Sequence, residues 1–473
     1  MEQKHPESWK PNLWFVLGLA LFLRTLLPTL AYCYTRDVSI FYTPDTASYL
    51  VPARELVAHH RFFSDGSLQA AVWNTPVAPA PDTVRTPGYP LLLTIGLLLG
   101  RLEIVTIAFQ ILLSGLTVYM VYRTALLLFE SERIAVTAAA LYAIEPLSIL
   151  FSSLLAPETL FTATLMVAVY YLVRYLRRES LVDLVVSGGA LAAAVYIRPV
   201  GYFLPLIVFA ILAARMLVRS QQNQPRLIAN LSVFLIVSAG PIGLWQVRNQ
   251  AAIGYSGFSS VFSEDMYCCS AASVLAAQQH LPYAQMQERL GCYNLDVYFQ
   301  EHPEQKTWPV TRRFSYMNRA AVHILLGSPL TYARIYFEGV VRGIFDPGST
   351  EFLRFFDLYP KDGGLIDIAV DEGIVKTLEA LLNNPLLLWS TVVLLGLQLI
   401  LLLYACRALS GRSILDPAIL TALVVVAYYF ALPGGAAVWG RFRHPAMPIV
   451  SAFAGCGLMN LLRCSPKLSG GHR

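Results

Sequence analysis

The sequence predicts an all-α polytopic membrane protein, a transmembrane helix bundle of about ten spans. Three observations carry this. Of the 473 residues, 56% are hydrophobic and only 14% are charged, against roughly 25% charged in soluble domains; mean hydropathy is +0.54. The charge deficit is spread along the chain, which excludes a soluble domain with one anchor. Ten stretches approach the roughly 20 apolar residues that a helical span needs. The net charge of +5 is modest. Basic residues on such a chain report topology and lipid contact, so no nucleic-acid partner is expected.

The candidate spans are 12–34, 103–127, 134–154, 159–176, 181–197, 200–218, 227–247, 385–406, 416–433 and 445–462. The first follows the polar MEQKHPESWKPN. It exceeds a signal-peptide core of roughly 7–15 residues and has no A-x-A-like site after it, so it reads as an uncleaved span. The segment 88–100, GYPLLLTIGLLLG, is too short to cross and should lie along or dip into the interface. The mixed segment 320–345, broken by Gly-Ser-Pro, reads as an interfacial helix pair.

Lys and Arg set the topology. With the N-terminus in the cytoplasm, the connections YRTALLLFESER, RYLRRES, RMLVRSQQNQPR and CRALSGRS and the tail RCSPKLSGGHR are cytoplasmic, short and basic, as the positive-inside bias requires. An even span count returns the C-terminus to the cytoplasm. Reading 88–100 as a span would place RYLRRES outside. Two long segments, about 35–102 and 248–384, then lie on the outer side, and 255–312 reads as a small subdomain there. Of the seven cysteines, Cys33, Cys406, Cys456 and Cys464 sit in or near apolar segments as small hydrophobes. Cys292 is expected to pair with Cys268 or Cys269 if their polar stretch is extracytoplasmic.

The informative charges are those left outside against the positive-inside bias. Arg85 (RTPGYP), Arg198 (YIRPVGY), Arg248 (WQVRNQ) and Arg441, Arg443 and His444 (GRFRHPAMP) each fall at the outer end of an apolar segment. Singly, an arginine there snorkels to headgroups. Together they suit one anionic site at the outer membrane boundary, since the guanidinium fork matches a phosphate. Two acids share this setting. Asp45 follows Thr-Pro and Glu158 follows Ala-Pro. Each would serve as an acid at the positive end of a helix. If both face one site, they are a carboxylate pair able to take a proton from a hydroxyl. Tyr49, at i+4 from Asp45, shares its helical face and, with Tyr89 of RTPGYP, is a candidate substrate contact. Arg24 lies mid-span, where it must face protein or water, and its partner is not legible; Glu145 is a second charge at or near membrane depth. His59 and His60 read as a solvated helix end. No Walker A loop, G-x-G-x-x-G, H-E-x-x-H or G-x-S-x-G motif is present.

The order of an acid in the first outer loop, then RTPGYPLLL, APETLFTATLMVAVYYLVRY, IRPVGY, WQVRNQAAIG and late GRFRHPAMPI resembles the GT-C superfamily of membrane glycosyltransferases. Within it the bacterial branch related to dolichyl-phosphate-mannose–protein mannosyltransferases and the lipid A aminoarabinose transferase is most similar. The resemblance covers about 12–255 and 385–462 but not 256–384. It implies a GT-C bundle with juxtamembrane helices in the first outer loop. It also implies inverting transfer of a sugar from a polyprenyl-phosphate donor to a hydroxyl of a glycan, lipid or protein acceptor outside the bacterial inner membrane. Asp45 and Glu158 would be the catalytic acids. Arg85, with Tyr49, Tyr89, Arg198, Arg248, Arg441 and Arg443, would hold the donor phosphate or substrate. The expected division is a transmembrane catalytic module, 1–254, with first outer loop 35–102; an extracytoplasmic or interfacial segment, 255–384; and C-terminal helices with a cytoplasmic tail, 385–473. No cofactor is assigned and a divalent metal is left open. The competing functions are a flippase or transporter for a lipid-linked sugar, an oligosaccharide polymerase or ligase, and a non-catalytic membrane subunit.

Overall fold

Stretches rich in Leu, Val and Ala can satisfy their backbone inside lipid only as helices or as a closed barrel, and here they form helices. The structure, a computed structural model, describes residues 12–64, 80–218, 224–360, 363–409 and 415–464. Its principal helices are α1 (Leu13–Thr35), α2 (Thr46–His59), α3 (Gly88–Leu98), α4 (Leu102–Phe129), α5 (Glu132–Ala143), α6 (Pro146–Phe151), α7 (Glu158–Arg178), α8 (Leu181–Ile197), α9 (Leu204–Val218), α10 (Gln224–Ile253), α11 (Val310–Gly327), α12 (Pro329–Phe345), α13 (Ile374–Asn383), α14 (Pro385–Leu409), α15 (Pro417–Ala431) and α16 (Met447–Cys464). Among the described residues the only sheet is an antiparallel pairing of Phe63–Ser64 with Ala80–Pro81 in the first outer loop.

All ten expected spans fall on helix. Among the described residues, seven helices are long and apolar enough to cross a membrane: Leu13–Thr35, Leu102–Phe129, Glu158–Arg178, Pro199–Leu217, Gln224–Ile253, Pro385–Leu409 and Gly440–Leu462. The chain is a multi-pass membrane protein. Helices α8 and α15 are shorter, at 17 and 15 residues. The expected span 134–154 is not continuous but breaks between α5 and α6. Pro146 has no N–H to continue the ladder, and Glu145 starts α6 by accepting from the Ser148 N–H at 2.6 Å.

The break also shows where Arg24 goes. Its guanidinium is fully buried. It donates to the Ala143 carbonyl (2.8 Å), the Ser148 hydroxyl (2.9 Å), the Ser114 hydroxyl (2.5 Å) and the Tyr142 carbonyl (3.4 Å). Arg24 thus caps the carbonyl end of α5, a cation at the negative pole of a helix.

Helix α7 packs on α4, α8 and α15, and α16 packs on α4, α5 and α14. In the spans led by Glu158 and Gly440, 72% of the apolar window is buried, against 22% for α1 and 17% for α14. These two helices are therefore the bundle axis, and α1 and α14 face lipid. Small residues permit the close approach of α16 to α5: a Cβ on Gly455 would lie 2.7 Å from the Ala138 nitrogen. The segment 88–100 forms α3, which packs on α2, α4 and α8. The segment 320–345 falls on α11 and α12, which meet at Ser328–Pro329. Residues 255–384 form short helices with a small core of their own around Tyr267, Tyr298, Phe314 and Met317. There Cys292 bonds Cys268, and Cys269 is free. Among the expected basic connections, 219–223, 410–414 and the tail from 465 lie outside the described residues.

Candidate active site

Two outer loops are first stitched together. The Thr46 hydroxyl closes the turn that starts α2 by accepting from the Thr43 N–H at 2.8 Å, and it donates to the Leu155 carbonyl at 2.8 Å. The Leu155 N–H donates to the Phe41 carbonyl at 2.8 Å. The start of α2 is thereby held against the loop that leads into α7. Asp45 occupies the N-cap position of α2 but makes no cap hydrogen bond. Its Oδ1 accepts from Arg85 Nη2 at 2.9 Å and its Oδ2 from Arg441 Nη1 at 2.6 Å. The helix-cap role expected of an acid at this place is not what the side chain does.

Arg85 is aimed by a tight turn. The buried Asp82 carboxylate accepts from the backbone N–H groups of Val84 (2.8 Å) and Arg85 (3.0 Å). Arg248 braces the same turn through the carbonyls of Asp82 (2.6 Å) and Phe62 (2.9 Å). Arg85 then donates to the hydroxyls of Ser48 (2.8 Å) and Tyr49 (3.2 Å), and its guanidinium lies 4.4 Å from the centre of the Tyr49 ring, a favourable cation–π placement. Tyr49 meets Tyr89 edge to face at 5.3 Å, and Tyr89 donates to Gln110 at 3.0 Å. Gly88 lets α3 approach α8: a Cβ there would sit 2.7 Å from the Tyr196 carbonyl oxygen.

Glu158, the first residue of α7, is fully buried. Its Oε1 accepts from Arg198 Nη1 at 3.0 Å and from Arg441 Nε. Arg441 thus bridges the two carboxylates. Next to it, His444 Nδ1 pairs with the Thr162 hydroxyl at 3.1 Å. Glu158 Oε2, His444 Nε2 and the Tyr429 hydroxyl are buried without a hydrogen-bond partner among the described residues.

Burial works to raise the Asp45 carboxyl, but Arg441 and Arg85 outweigh it and hold the group well below the usual carboxylate range. Asp82 has no cation so close, and burial pushes it up to about 6 despite its two backbone hydrogen bonds. The Asp45 side chain keeps 32% exposure while that of Glu158 has none. Asp45 is therefore the carboxylate a substrate can reach.

Of the residues singled out in the sequence, Asp45, Tyr49, Arg85, Glu158, Arg198 and Arg441 converge, and Tyr89 stands behind them. Arg248 and Arg443 do not join the carboxylates. Arg248 holds loop carbonyls. Arg443 is buried, donating to Gln398 at 2.8 Å and to the carbonyls of Gly343 and Asp346. Ser48, Asp82 and Gln110 carry no distinguishing pattern in the sequence. Ser48 alone was findable, at i+3 from Asp45 on the same helix face. Among the described residues no group of three or more His, Cys, Asp and Glu side chains is placed to hold a metal ion.

The family model for dolichyl-phosphate-mannose–protein mannosyltransferases matches residues 84–245. Over those residues the chain is similar to dolichyl-phosphate-mannose–protein mannosyltransferases. The match to that model begins just before Arg85 and takes in Tyr89, Glu158 and Arg198, while Asp45 and Arg441 lie on either side of it. Among solved structures, the Archaeoglobus fulgidus oligosaccharyltransferase, in complex with zinc and sulfate, is similar at 17% identity with a TM-score of 0.48, over 95% of this chain and 49% of that one. This chain thus spans about half the length of the archaeal protein. ArnT from Cupriavidus metallidurans, bound to undecaprenyl phosphate, is similar at 13% identity with a TM-score of 0.38, over 95% of this chain and 78% of that one. No curated protein sequence matches the chain.

Proposed function

We propose that this protein is a GT-C glycosyltransferase that moves a sugar from a polyprenyl-phosphate donor to a hydroxyl acceptor, a cell-envelope glycan, lipid or protein, with inversion at the anomeric carbon. The observation that carries the reading is the Arg441 bridge between a reachable carboxylate, Asp45, and a buried one, Glu158, with Arg85 and Arg198 beside them. Glu158 keeps Arg441 in place from below. A donor phosphate arriving from the membrane competes with Asp45 for Arg85 and Arg441, whose forks suit phosphate oxygens. Asp45 released from those cations is a stronger base and accepts the proton of the acceptor hydroxyl. The new bond from the hydroxyl oxygen to the anomeric carbon forms as the bond to the phosphate oxygen breaks. The charge gained by the leaving polyprenyl phosphate is met by guanidiniums already in position.

The disulfide Cys268–Cys292 supports placing 255–384 and the adjoining site outside the cytoplasm. The end of the bundle away from the site carries Arg174, Arg177, Arg178 and Arg215, at the ends of α7 and α9. This supports cytoplasmic termini in a bacterial inner membrane. A flippase would need charges along a path through the midplane. Arg24, the mid-span cation, spends its donors on protein carbonyls and hydroxyls instead. The deciding experiment incubates the purified protein with a panel of radiolabelled polyprenyl-phosphate sugars and membrane extract. Consumption of one donor is expected; neither binding nor consumption of any donor overturns the reading.

A further inference from the structure

Arg441 bridges the two carboxylates from the short 3₁₀ turn Gly440–Phe442. The leading N–H groups of such a turn have no partner within it. The Gly440 N–H instead donates to Asp346 Oδ2 at 2.7 Å, and Asp346 Oδ1 accepts from the Gly348 N–H at 3.0 Å. Asp346 follows α12 directly, inside the segment 256–384 that the sequence resemblance does not cover. One carboxylate, 94 positions away in sequence, thus caps the turn that carries Arg441.

The joint is close and braced. A Cβ on Gly440 would lie 2.7 Å from the Asp346 carbonyl oxygen and 3.2 Å from its Oδ2, so glycine is what lets the carboxylate reach that N–H. The Asp346 carbonyl accepts from Arg443, which also donates to Gln398 at 2.8 Å. Farther back along the loop, Arg342 of α12 donates to the Ala436 carbonyl at 2.7 Å and Tyr336 to the Leu432 carbonyl at 2.9 Å. Helix α12 therefore lies along the loop between α15 and Arg441. The other end of the same segment is tied to the second cation. The Ser259 hydroxyl donates to the Val84 carbonyl at 2.6 Å, and the Ser260 N–H donates to the Thr83 carbonyl at 2.8 Å, just before Arg85. A segment tied to both loops fixes the separation of two guanidinium forks, which is what a phosphate held by both of them requires.

We propose that Asp346 is a positioning residue for Arg441: its carboxylate holds the Gly440–Phe442 turn so that the guanidinium stays in place when a donor phosphate displaces Asp45 from it. This rests on the transfer reading above. In the resting site Arg441 is gripped by two carboxylates, Asp45 at Nη1 and Glu158 at Nε. Once phosphate has taken the Nη1 side, Glu158 and the backbone turn remain to aim the fork, and Asp346 holds that turn. The bond to Gly440 therefore counts most in the donor-bound state.

Asp346→Ser separates the two bonds that the carboxylate makes. A serine hydroxyl can still accept from the N–H two residues on, but its side chain is too short to reach Gly440 as well. The test uses the full chain in detergent and a direct binding isotherm with the polyprenyl-phosphate sugar that the native protein consumes. Each variant must elute as a single species with native helix content. In Asp346→Ser the donor Kd is expected to rise about tenfold, the loss of one charge-assisted hydrogen bond from a displaced Arg441. Asp346→Asn, whose amide oxygen can serve the Gly440 N–H, recovers part of that affinity. Tyr336→Phe unties the far end of the same loop and leaves donor Kd within about twofold of the native protein. An unchanged Kd in Asp346→Ser, no recovery in Asp346→Asn, or an equal loss in Tyr336→Phe overturns the proposal while leaving the transferase reading intact. A native protein that neither binds nor consumes any donor removes both.

Discussion

Arg441 and Asp45 stand 396 positions apart in sequence and form a 2.6 Å ion pair. One end of the pair leads a juxtamembrane helix near the start of the chain and the other leads into the last helix. The site therefore exists only when the bundle is closed.

Replacing Asp45 by Asn keeps the shape and removes the charge. Sugar transfer is expected to fall by about 100-fold or more, the usual contribution of a positioned base. The measurement is donor consumption by variant protein that elutes as a single species with native helix content. A fully active Asn variant removes Asp45 from the mechanism.

The same ion pairs set an acid limit on stability. The folded Asp45 carboxyl lies below its ordinary value of 3.8 because Arg441 and Arg85 outweigh the effect of burial. A depressed carboxyl contributes its stability in full above the unfolded value, and that contribution is lost as pH falls toward the folded one. Thermal unfolding in detergent should show a drop in Tm below about pH 4, and Asp45→Asn should flatten that drop. Equal slopes for the two proteins would show that the pair carries no such linkage.

Arg85→Lys keeps a cation and loses the fork that reaches Ser48, Tyr49 and Asp45 together. Lysine presents a point charge and cannot spread over the Tyr49 ring in the same way. Donor affinity should weaken by about tenfold, one charge-assisted hydrogen bond, with Tm nearly unchanged. The check is a direct binding isotherm with the donor that the native protein consumes.

Gly88→Ala tests why RTPGYP has a glycine. The added Cβ would meet the Tyr196 oxygen at 2.7 Å and the Ile197 nitrogen at 2.8 Å, both backbone atoms near the end of α8. Neither can swing aside, so α3 or α8 must shift, at about 1–3 kcal/mol. Arg85 precedes the glycine by three residues and Arg198 follows Ile197. Activity and Tm should therefore fall together, whereas Gly18→Ala, inside α1 with no atom within 4 Å of the new Cβ, should leave activity intact.

Arg24→Met should cost about 3 kcal/mol, because the Tyr142 and Ala143 carbonyls then lose their donor inside the bundle. Unfolding in detergent measures it. Arg24→Lys, which can still reach one of the two carbonyls, is expected to fall between.

The helices and the outer acids were legible because their signals are local. Apolar length marks a span, and Pro before an acid marks a helix start at the boundary. The break at 144–146 was also local: Pro146 stands in the middle of 134–154, and length alone concealed it. The division of labour among the arginines was not legible. Arg198 and Arg248 both follow a span and are both flanked by aromatics, yet one meets Glu158 and the other meets backbone carbonyls. Arg441 and Arg443 lie two residues apart and point to different partners. Those choices are made by which helix packs beside which, and no window of sequence contains them. Asp82 sits in an ordinary polar stretch, and only the fold turns it into a turn brace.

Arg24 sets an order of events during synthesis. Apart from the Ala20 carbonyl one turn away, its acceptors lie 90 to 124 residues downstream. At about 5–20 residues per second, the ribosome reaches the last of them on the order of ten seconds after Arg24 itself is made. Through that interval α1 carries a cation without its protein acceptors at membrane depth. It must wait at the insertion machinery or at the headgroups until α4, α5 and α6 emerge, so α1 settles only after helices made well after it.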